Sequence, residues 1–500
     1  AADTIKAPLA RYETPRPLEV ADRLRWRRDS ILATGALNLA DLLDRVPGIT
    51  TYRSGWLAGI HAATYNGDGS RVRVFMDGVE WDGIGARNAG MLDLTDVPLW
   101  NLDEVAIERA PGEIRVWLRT MTVTSTTPAT RVDIFTGDLN TNAFRGFLSR
   151  RWRNGMAFQF GGQQIATQSG RVSAFTGVET NSRVRSDGEA QAFYLRFGWA
   201  RGKLSADVFA NATSRQRDGH TPRTDYLALP SFKGQRRDAY LRVGYGDTSR
   251  GLWSQLLVSA ARVRQEGTDS TSIIENDTLT IEGDTIRAQT QHVLAVGYRG
   301  SWWTASLTDR VRPINGALRH APVVRGQLTW RMVEAGGWLE QNGRDSTNRT
   351  DLFARIRPLS WMTFVVGRSS RTPADTTGRP AASTLRAEGA IRVRGLWVGG
   401  GVLRDDATSF STIPLIGMPQ IVVQSVPTTG LTASVHGRLY KDLSIDVQAI
   451  NWNVAQFNRP KTQFRTELAL VSQWRSKFPK GQFGFNARLM LDSRSGVPFY

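Results

Sequence analysis

Apolar and polar side chains alternate from about residue 130 onward, and this alternation constrains the fold more than any other feature of the sequence. In one segment, Leu385 and Ile391 lie on one face of an extended strand, while Arg386 and Glu388 lie on the other. Segments of about ten residues with this pattern are typical of strands that cross a membrane as a barrel, because one face meets lipid and the other a polar interior. We therefore predict an all-β transmembrane β-barrel of about 18–22 antiparallel strands over residues 126–500.

The connections between the predicted strands have two lengths. Turns such as Asn154-Gly155 and Arg201-Gly202 join strands in pairs, and polar segments as long as 168–189 separate the pairs. Short turns at one end and long loops at the other are typical of outer-membrane barrels. Tryptophans near strand ends fit the aromatic girdles of such barrels. We expect that position for Trp152, Trp199, Trp253, Trp302, Trp303, Trp397, Trp452 and Trp474.

The polar faces of the predicted strands are rich in arginine. The chain has a net charge of +18, with 57 Arg and 7 Lys against 46 Asp and Glu. Nucleic-acid binding would explain a basic chain, but the basic residues are spread at strand spacing, so we expect no nucleic-acid partner. An arginine-rich lumen that attracts anions, or arginines that meet lipid phosphates, explains the spacing better. The residues expected to face the lumen are Arg196, Arg242, Arg386, Arg392, Arg438, Arg465 and Arg488.

The sequence contains none of the common signatures of an enzyme. It has no cysteine, and its five histidines lack metal-ligand spacing. Gly-x-Ser-x-Gly, phosphate-binding and dinucleotide-binding motifs are absent. We therefore predict no catalytic residues, no metal and no cofactor.

One apolar residue, Phe209, is an exception to the alternation, because it lies on the polar face of its predicted strand.

The targeting signals agree with a barrel rather than with a membrane helix. No stretch of 18 apolar residues is present, so the sequence predicts no membrane-spanning helix. The chain begins Ala1-Ala2-Asp3, without the basic and apolar regions of a signal peptide. The barrel interpretation requires that a signal peptide has been removed. The expected location is the outer membrane of a Gram-negative-type (diderm) bacterium, in contact with outer-membrane lipid and lipopolysaccharide.

The first 125 residues have a different pattern and predict a small α+β domain. A helical stripe of apolar residues runs from Leu39 to Val46; Asn38 can cap it, and Pro47-Gly48 can end it. Two strand–turn–strand units follow. Their predicted strands are Arg71–Met76, Val79–Trp81, Val105–Arg109 and Ile114–Leu118.

Three segments of this domain resemble the plug domain of TonB-dependent outer-membrane receptors. They are LADLLDRVPGI (39–49), RVRVFMDGV (71–79) and VPLWNLDEVAIERAPG (97–112), and their order and spacing match as well. The motif residues are Leu42, Leu43, Pro47, Gly48, Asp77, Gly78, Glu108, Arg109, Pro111 and Gly112. The resemblance implies a plug inside a barrel, usually of 22 strands, that imports scarce nutrients with the help of a TonB-like periplasmic protein.

The chain departs from the family pattern at two places. The resemblance implies a TonB box near the N-terminus, and the candidate is Asp3, Thr4, Ile5, Lys6 and Ala7, in which Lys6-Ala7 replaces the usual apolar, Thr-containing tail. After IERAPG the family normally carries a Tyr-Gly and a Gly-Gly segment. Here residues 113–116 follow at once, so this hairpin is shortened.

These observations predict two domains and leave two functions open. Residues 1–125 are expected to form the N-terminal segment and plug. Residues 126–500 are expected to form the barrel, incomplete at its C-terminus because Gly496-Val497-Pro498 predicts a loop. The first function is a TonB-dependent receptor that imports a small ligand of anionic character. The alternative is a non-transporting plugged barrel that serves as a scaffold or subunit for other envelope proteins.

Overall fold

The computed structural model describes residues 19–498 except for 22–23, 54–60, 85–90, 138–140, 169–186, 218–231, 248, 267–271, 275–276, 280–283, 315, 377–379, 412, 414–421 and 473–483. Within this part of the chain, no helix has the length and apolar character needed to span a membrane.

The N-terminal part folds as a mixed α+β domain. Its elements are β1 (Arg25–Arg27), α1 (Arg28–Ala33), α2 (Leu39–Leu43), β2 (Ile49–Arg53), β3 (His61–Tyr65), β4 (Val72–Met76), β5 (Val79–Trp81), β6 (Leu102–Arg109) and β7 (Ile114–Thr120). Five strands form one sheet in the order β1-β6-β7-β4-β5, in which β4 runs parallel to β7. Strands β2 and β3 form a separate hairpin. We call this domain the plug.

Helix α2 begins where the sequence predicted, because Asn38 caps it. The Asn38 side chain accepts a hydrogen bond from the Asp41 backbone N–H, and the Asp41 carboxylate accepts one from the Asn38 backbone N–H. This reciprocal pair satisfies donors that the first helical turn leaves open. The helix ends at Leu43, earlier than the predicted Val46, and the chain continues in turns to Gly48, whose φ of +85° favours glycine.

The remainder of the described chain is almost entirely strand. Its elements are β8 (Ala129–Gly137), β9 (Thr141–Arg151), β10 (Met156–Gln168), β11 (Asp187–Arg201), β12 (Leu204–Arg217), β13 (Phe232–Asp247), β14 (Arg250–Glu266), β15 (Ser272–Ile274), β16 (Asp277–Leu279), β17 (Thr285–Arg299), β18 (Trp303–Ile314), β19 (Ala317–Trp330), β20 (Val333–Asn342), β21 (Thr347–Leu359), β22 (Met362–Pro373), β23 (Ala382–Val393), β24 (Leu396–Asp405), β25 (Ser409–Ser411), β26 (Val422–Gln424), β27 (Thr428–Tyr440), β28 (Leu443–Trp452), β29 (Thr462–Ser472) and β30 (Phe485–Arg494). β15–β16 and β25–β26 are small hairpins outside the barrel, and the other nineteen strands close into it. The predicted barrel is confirmed, and nineteen lies within the predicted range.

The two ends of the barrel differ in the length of their connections. At one end, turns such as 202–203 and 394–395 join the strands, and we call this the short-turn end. At the other, the long-loop end, connections such as 169–186 and 406–427 are much longer. Short turns face the periplasm and long loops face outward in barrels of this kind.

The two faces of the barrel strands differ sharply in exposure. In β13, Leu241 and Val243 are each 48% exposed on the outer face, whereas Arg242 between them is 1% exposed inside. The outer face is therefore apolar and the inner face polar, as a barrel in lipid requires.

Exposed tryptophans gather at the short-turn end, in keeping with an aromatic girdle. They are Trp152, Trp199, Trp302, Trp303, Trp330 and Trp361. The girdle prediction was wrong for Trp253, Trp397 and Trp452, which lie on the inner face of their strands. A ring can fill space beside the plug as well as it can meet lipid headgroups. Trp474 lies outside the described residues.

Candidate ligand site and plug–barrel contact

The plug sits inside the barrel, because the two share one apolar core. Leu42, Leu43 and Val74 of the plug are buried in a cluster that continues into the barrel wall. The barrel residues of that cluster are Tyr194, Phe209, Tyr240, Leu257 and Val293. Polar contacts add to the core, since Gln448 and Gln463 of the barrel donate hydrogen bonds to plug carbonyls.

A cavity of about 140 Å³ opens between the plug and the barrel at the long-loop end. The plug lines it with residues 68–70, 72–73, 80–83 and 91–92, and the barrel lines it chiefly with Asn342, Arg344, Asp345 and Arg349. Charged side chains face Trp81 and Met91 across this space. A small polar ligand with an apolar part fits such a lining.

Arg73 of β4 is the centre of a buried ion-pair network next to this cavity. Its guanidinium makes a bidentate pair with Glu340 of the barrel at 2.5 and 2.8 Å, and donates to Glu80 at 2.6 Å. Arg73 also contacts Glu113 at 3.4 Å, and Arg349 of the barrel reaches the same carboxylate at 2.7 Å. Buried charges are tolerated only when they are paired and hydrogen-bonded, so these groups depend on one another.

The shortened hairpin between β6 and β7 places Glu113 in this network. The Gly112 backbone N–H donates to Ser369 Oγ of β22 at 2.9 Å, which positions the hairpin against the wall. Burial raises the pKa of the Glu113 carboxyl, but three arginines, of which Arg115 has the largest effect, outweigh burial and lower it to about 2. The shortened hairpin is therefore an ion-paired contact with the barrel.

A second buried network joins the plug to β23. Arg109 of the IERAPG motif donates to Glu388 of the barrel at 2.7 and 2.8 Å and to Glu19 at 2.8 Å. Arg386 of the barrel contacts Glu19 at 2.6 and 2.9 Å and Glu388 at 2.6 Å. Two arginines and two carboxylates thus neutralise one another.

Stacked rings make the contact on the opposite wall. Trp100 of the plug lies 5.3 Å from Tyr194, which stacks on Phe209 at 6.3 Å, and Phe209 stacks on Tyr240 at 5.2 Å between ring centroids. The Tyr240 hydroxyl donates to Asp77 of the plug at 2.8 Å. Phe209 departs from the strand alternation because its ring packs against the plug instead of facing water.

Two plug carboxylates share one barrel arginine beside these rings. Arg215 of β12 contacts Asp93 at 2.6 Å and Asp96 at 2.9 Å. Burial raises the pKa of Asp96 most, Arg215 opposes this and Asp93 adds to it, and the result is about 6. Asp96 therefore changes charge at mildly acidic pH.

A connection at the long-loop end of the barrel also contacts the plug. The carbonyl of Asn458, between β28 and β29, accepts a hydrogen bond from Thr64 Oγ1 at 3.1 Å, and its side-chain amide donates to the Gly67 carbonyl at 3.2 Å. This contact covers part of the plug's outer surface.

The predicted site residues are distributed as follows. Arg196, Arg242, Arg386 and Arg465 are buried on the inner face. Arg488 contacts Glu467 and the plug carbonyl of Ala33. Arg392 and Arg438 are exposed near the short-turn end. Asp3, Thr4, Ile5, Lys6 and Ala7 lie outside the described residues.

The plug motif residues have identifiable structural tasks. Leu42 and Leu43 are in the core, and Asp77 accepts hydrogen bonds from Thr120 of β7. Gly78 has a φ of +94°, which favours glycine at this turn. Glu108 pairs with Arg325 of the barrel at 3.1 Å.

The sequence did not single out Arg73, Glu340 or Arg349. These residues are separated by up to 276 positions in the chain, so no local pattern links them. Within the described part of the chain, no group of three or more His, Asp or Glu side chains is arranged to hold a metal ion.

Comparison with known proteins gives a family for the plug and a fold for the whole chain. Residues 12–116 match the family model described as the TonB-dependent receptor plug domain. No curated protein matched the sequence. The siderophore receptor PirA from Acinetobacter baumannii has a TM-score of 0.64 at 10% identity, over 94% of this chain and 90% of that chain.

Two further solved structures give the same result. A mutant of the ferric enterobactin receptor PfeA from Pseudomonas aeruginosa has a TM-score of 0.64 at 12% identity, over 90% of this chain and 83% of that one. The ferric yersiniabactin uptake receptor FyuA from Yersinia pestis has a TM-score of 0.64 at 11% identity, over 94% and 85%. The chain therefore has a TonB-dependent receptor plug domain inside a barrel that shares the fold of these receptors.

Proposed function

We propose that this protein is an energy-coupled importer in the outer membrane of a diderm bacterium, exported there by a signal peptide that is then removed. The observation that carries the proposal is a family-matched plug inside the barrel, with a cavity at the long-loop end between plug residues 68–70 and the barrel residues Asn342, Arg344, Asp345 and Arg349. A ligand in that cavity touches both parts at once, so its binding can change how firmly the plug is held.

The proposed cycle uses the ion pairs next to the cavity. A ligand with anionic groups competes with Glu113 and Glu340 for the guanidinium groups of Arg73 and Arg349. The N-terminal segment 3–7 then adds as a strand to the sheet of a TonB-like periplasmic protein, and a pulling force displaces the plug. Lipid and lipopolysaccharide surround the apolar outer face of the barrel.

The ligand class follows from charge more than from resemblance. By their names the matched structures are a siderophore receptor, a ferric enterobactin receptor and a ferric yersiniabactin uptake receptor, but identities of 10–12% support only the fold. The cavity lining itself is close to balanced, with three arginines and four carboxylates. The excess of Lys and Arg over Asp and Glu in residues 126–500 favours a small anionic molecule, and an anionic iron chelate is the first class to test.

A scaffold function has one observation in its favour. The shortened hairpin carries Glu113 into a buried network with Arg115 and Arg349, which ties the plug to the wall. A plug that never leaves the barrel would suit a subunit of an envelope complex that contacts other envelope proteins.

Uptake by intact cells distinguishes the two functions. Cells that lack their own receptors would express the full chain and receive radiolabelled ferric citrate, a ferric catecholate, cobalamin or maltotriose. We expect uptake of one of the anionic chelates, and its loss on deletion of residues 1–8. Ile5→Pro removes a strand donor and should abolish uptake, whereas the matched Ile5→Ala should be mild. If the deletion leaves uptake unchanged, the importer is rejected in favour of the scaffold.

A further inference from the structure

The excess positive charge of this protein belongs entirely to the barrel. Residues 1–125 carry 15 Lys and Arg against 17 Asp and Glu, whereas residues 126–500 carry 49 against 29. The plug is therefore slightly acidic inside a strongly basic barrel, and the acidic groups of the plug neutralise part of the wall around it.

One hairpin of the wall shows this arrangement most clearly. The lumen face of β18–β19 carries Arg310, Arg312, Arg319 and Arg325 and no carboxylate. The single acidic residue of the two strands, Asp309, is on the outer face, where it pairs with His320 at 2.8 Å. Arg312 lies directly opposite Arg319 in the strand register, a like-charge pair that is unfavourable without an anion nearby.

Carboxylates of the plug neutralise this face from across the lumen. Arg312 contacts Glu80 at 2.7 Å, and Arg325 makes two hydrogen bonds of 3.1 Å to Glu108. The basic face of β18–β19 is thus balanced only while the plug is in place.

Arg310, on the same face, is not paired with any carboxylate of the described residues. Its side chain is fully buried, it lies 5.0 Å from the Phe75 ring, and none of its three guanidinium nitrogens has a hydrogen-bond partner among the described residues. Glu80 is near enough for the charge of Arg310 to lower its pKa, but the two make no hydrogen bond. A buried arginine without a partner is costly, so its place on this wall calls for an explanation other than stability.

The same hairpin lies beneath a low part of the barrel rim. Residues 315–316 join β18 to β19, and residues 343–346 join β20 to β21, which are short connections for the long-loop end. The cavity between plug and barrel is lined by this second connection and by Glu80 and Asp82. Glu80 and Asp82 lie between this cavity and Arg312 and are both paired with it, so an anion in the cavity reaches Arg312 only when these carboxylates move away.

We propose that the lumen face of β18–β19 is a binding track for a small molecule with several carboxylate or phosphate groups, and that Glu80, Asp82 and Glu108 occupy the track until the plug moves. This inference rests on the importer function. Arg312 and Arg319 receive the anion at the mouth, Arg310 lies below them, and Arg325 lies opposite Ser306 closer to the short-turn end. The arginines that hold the plug are then the same ones that guide the ligand past it.

The test is the ion selectivity of the opened full-length protein. The protein would be inserted into a planar bilayer, opened with urea below the concentration that unfolds the barrel, and measured in a KCl gradient. We expect a pore that prefers chloride to potassium and that citrate and tripolyphosphate block. Arg310→Gln with Arg325→Gln should reduce the preference and the block several-fold, and the two Arg→Lys changes should preserve both. Arg262→Gln, on the outer face of β14, removes the same charge as either single substitution on the track. It should change neither the chloride preference nor the block.

Three results would overturn the proposal: a pore that prefers potassium, a double variant with unchanged selectivity and block, or a plug that urea never displaces. A second measurement uses the closed state, in which Arg310→Gln should raise the urea concentration needed for opening, because it removes an unpaired buried charge. A decrease would mean that Arg310 has a structural partner, and would contradict the track. Failure of the importer is separate, since it appears only as uptake that does not depend on residues 1–8.

Discussion

On the side of β18–β23 the plug meets the barrel through several buried ion-pair networks, whereas on the side of β11–β13 it packs on a row of stacked barrel rings and makes one buried ion-pair site, at Arg215. We call these the charged wall and the aromatic wall. On the charged wall, the single side chain of Arg73 contacts three carboxylates, those of Glu80, Glu113 and Glu340. On the aromatic wall, Tyr194, Phe209 and Tyr240 stack in one row.

The two kinds of contact respond differently to displacement. Separating an ion pair in a buried site leaves both charges uncompensated, so the charged wall resists small movements. Ring contacts lose energy gradually as area is exposed, so the aromatic wall can slide by small steps. A ligand that supplies anionic groups can replace the plug carboxylates on the charged wall and at Arg215, but it cannot replace the ring contacts of the aromatic wall.

The largest effect is expected from Arg73→Gln on the charged wall. The change leaves Glu80, Glu113 and Glu340 short of a partner, and should reduce the free energy of plug opening by about 3–5 kcal/mol. Hydrogen exchange of β7 amides in the detergent-purified protein measures that opening. An unchanged exchange rate would mean that the network contributes nothing to plug seating.

A smaller, pH-dependent effect is expected at Asp96 on the aromatic side. Its pKa of about 6 lies above the ordinary 3.8, so the seated plug binds this proton more readily than the released plug does. Seating should therefore strengthen as pH falls from about 6 to about 4, by on the order of 2 kcal/mol, and should change little above that range, where Asp96 is ionised in both states. Asp96→Asn should remove this dependence in the same exchange experiment.

Glu113 on the charged wall provides the opposite pH dependence. Its pKa of about 2 lies below the ordinary 4.5, so its contribution is complete above pH 4.5 and is lost as pH falls towards 2. If both walls weakened together between pH 6 and pH 4.5, the distinction between them would be wrong.

The smallest effect is expected from Phe209→Leu on the aromatic wall. Leucine keeps most of the buried apolar volume but presents a smaller surface to the plug core that packs on Phe209, so plug opening should become easier by about 1 kcal/mol. A loss as large as that of Arg73→Gln would show that the rings hold the plug as firmly as the ion pairs do.

Much of the fold, but little of the site, could be predicted from sequence. The period of two places Arg242 inside and Leu241 outside because facing is a local property of a strand. The partner of Arg73 is Glu340, on a strand far along the chain, and only the closed barrel brings the two together. Phe209 was visible as an exception, but its meaning required the position of the plug.

The most direct test of the account is a disulfide between the plug and the charged wall. The chain has no cysteine, and a Cβ added to Gly112 would lie 2.7 Å from the Cβ of Ser369. This is about 1 Å closer than the Cβ atoms of a disulfide, so Gly112→Cys with Ser369→Cys can cross-link once the hairpin moves away from the wall by about that distance. Gly112→Cys with Ser259→Cys, on the inner face of β14, is the matched control that should not react. We predict a quantitative disulfide in the first variant that stops ligand uptake until a reductant is added. Absence of the cross-link, or equal reaction in both variants, would contradict the seated plug described here.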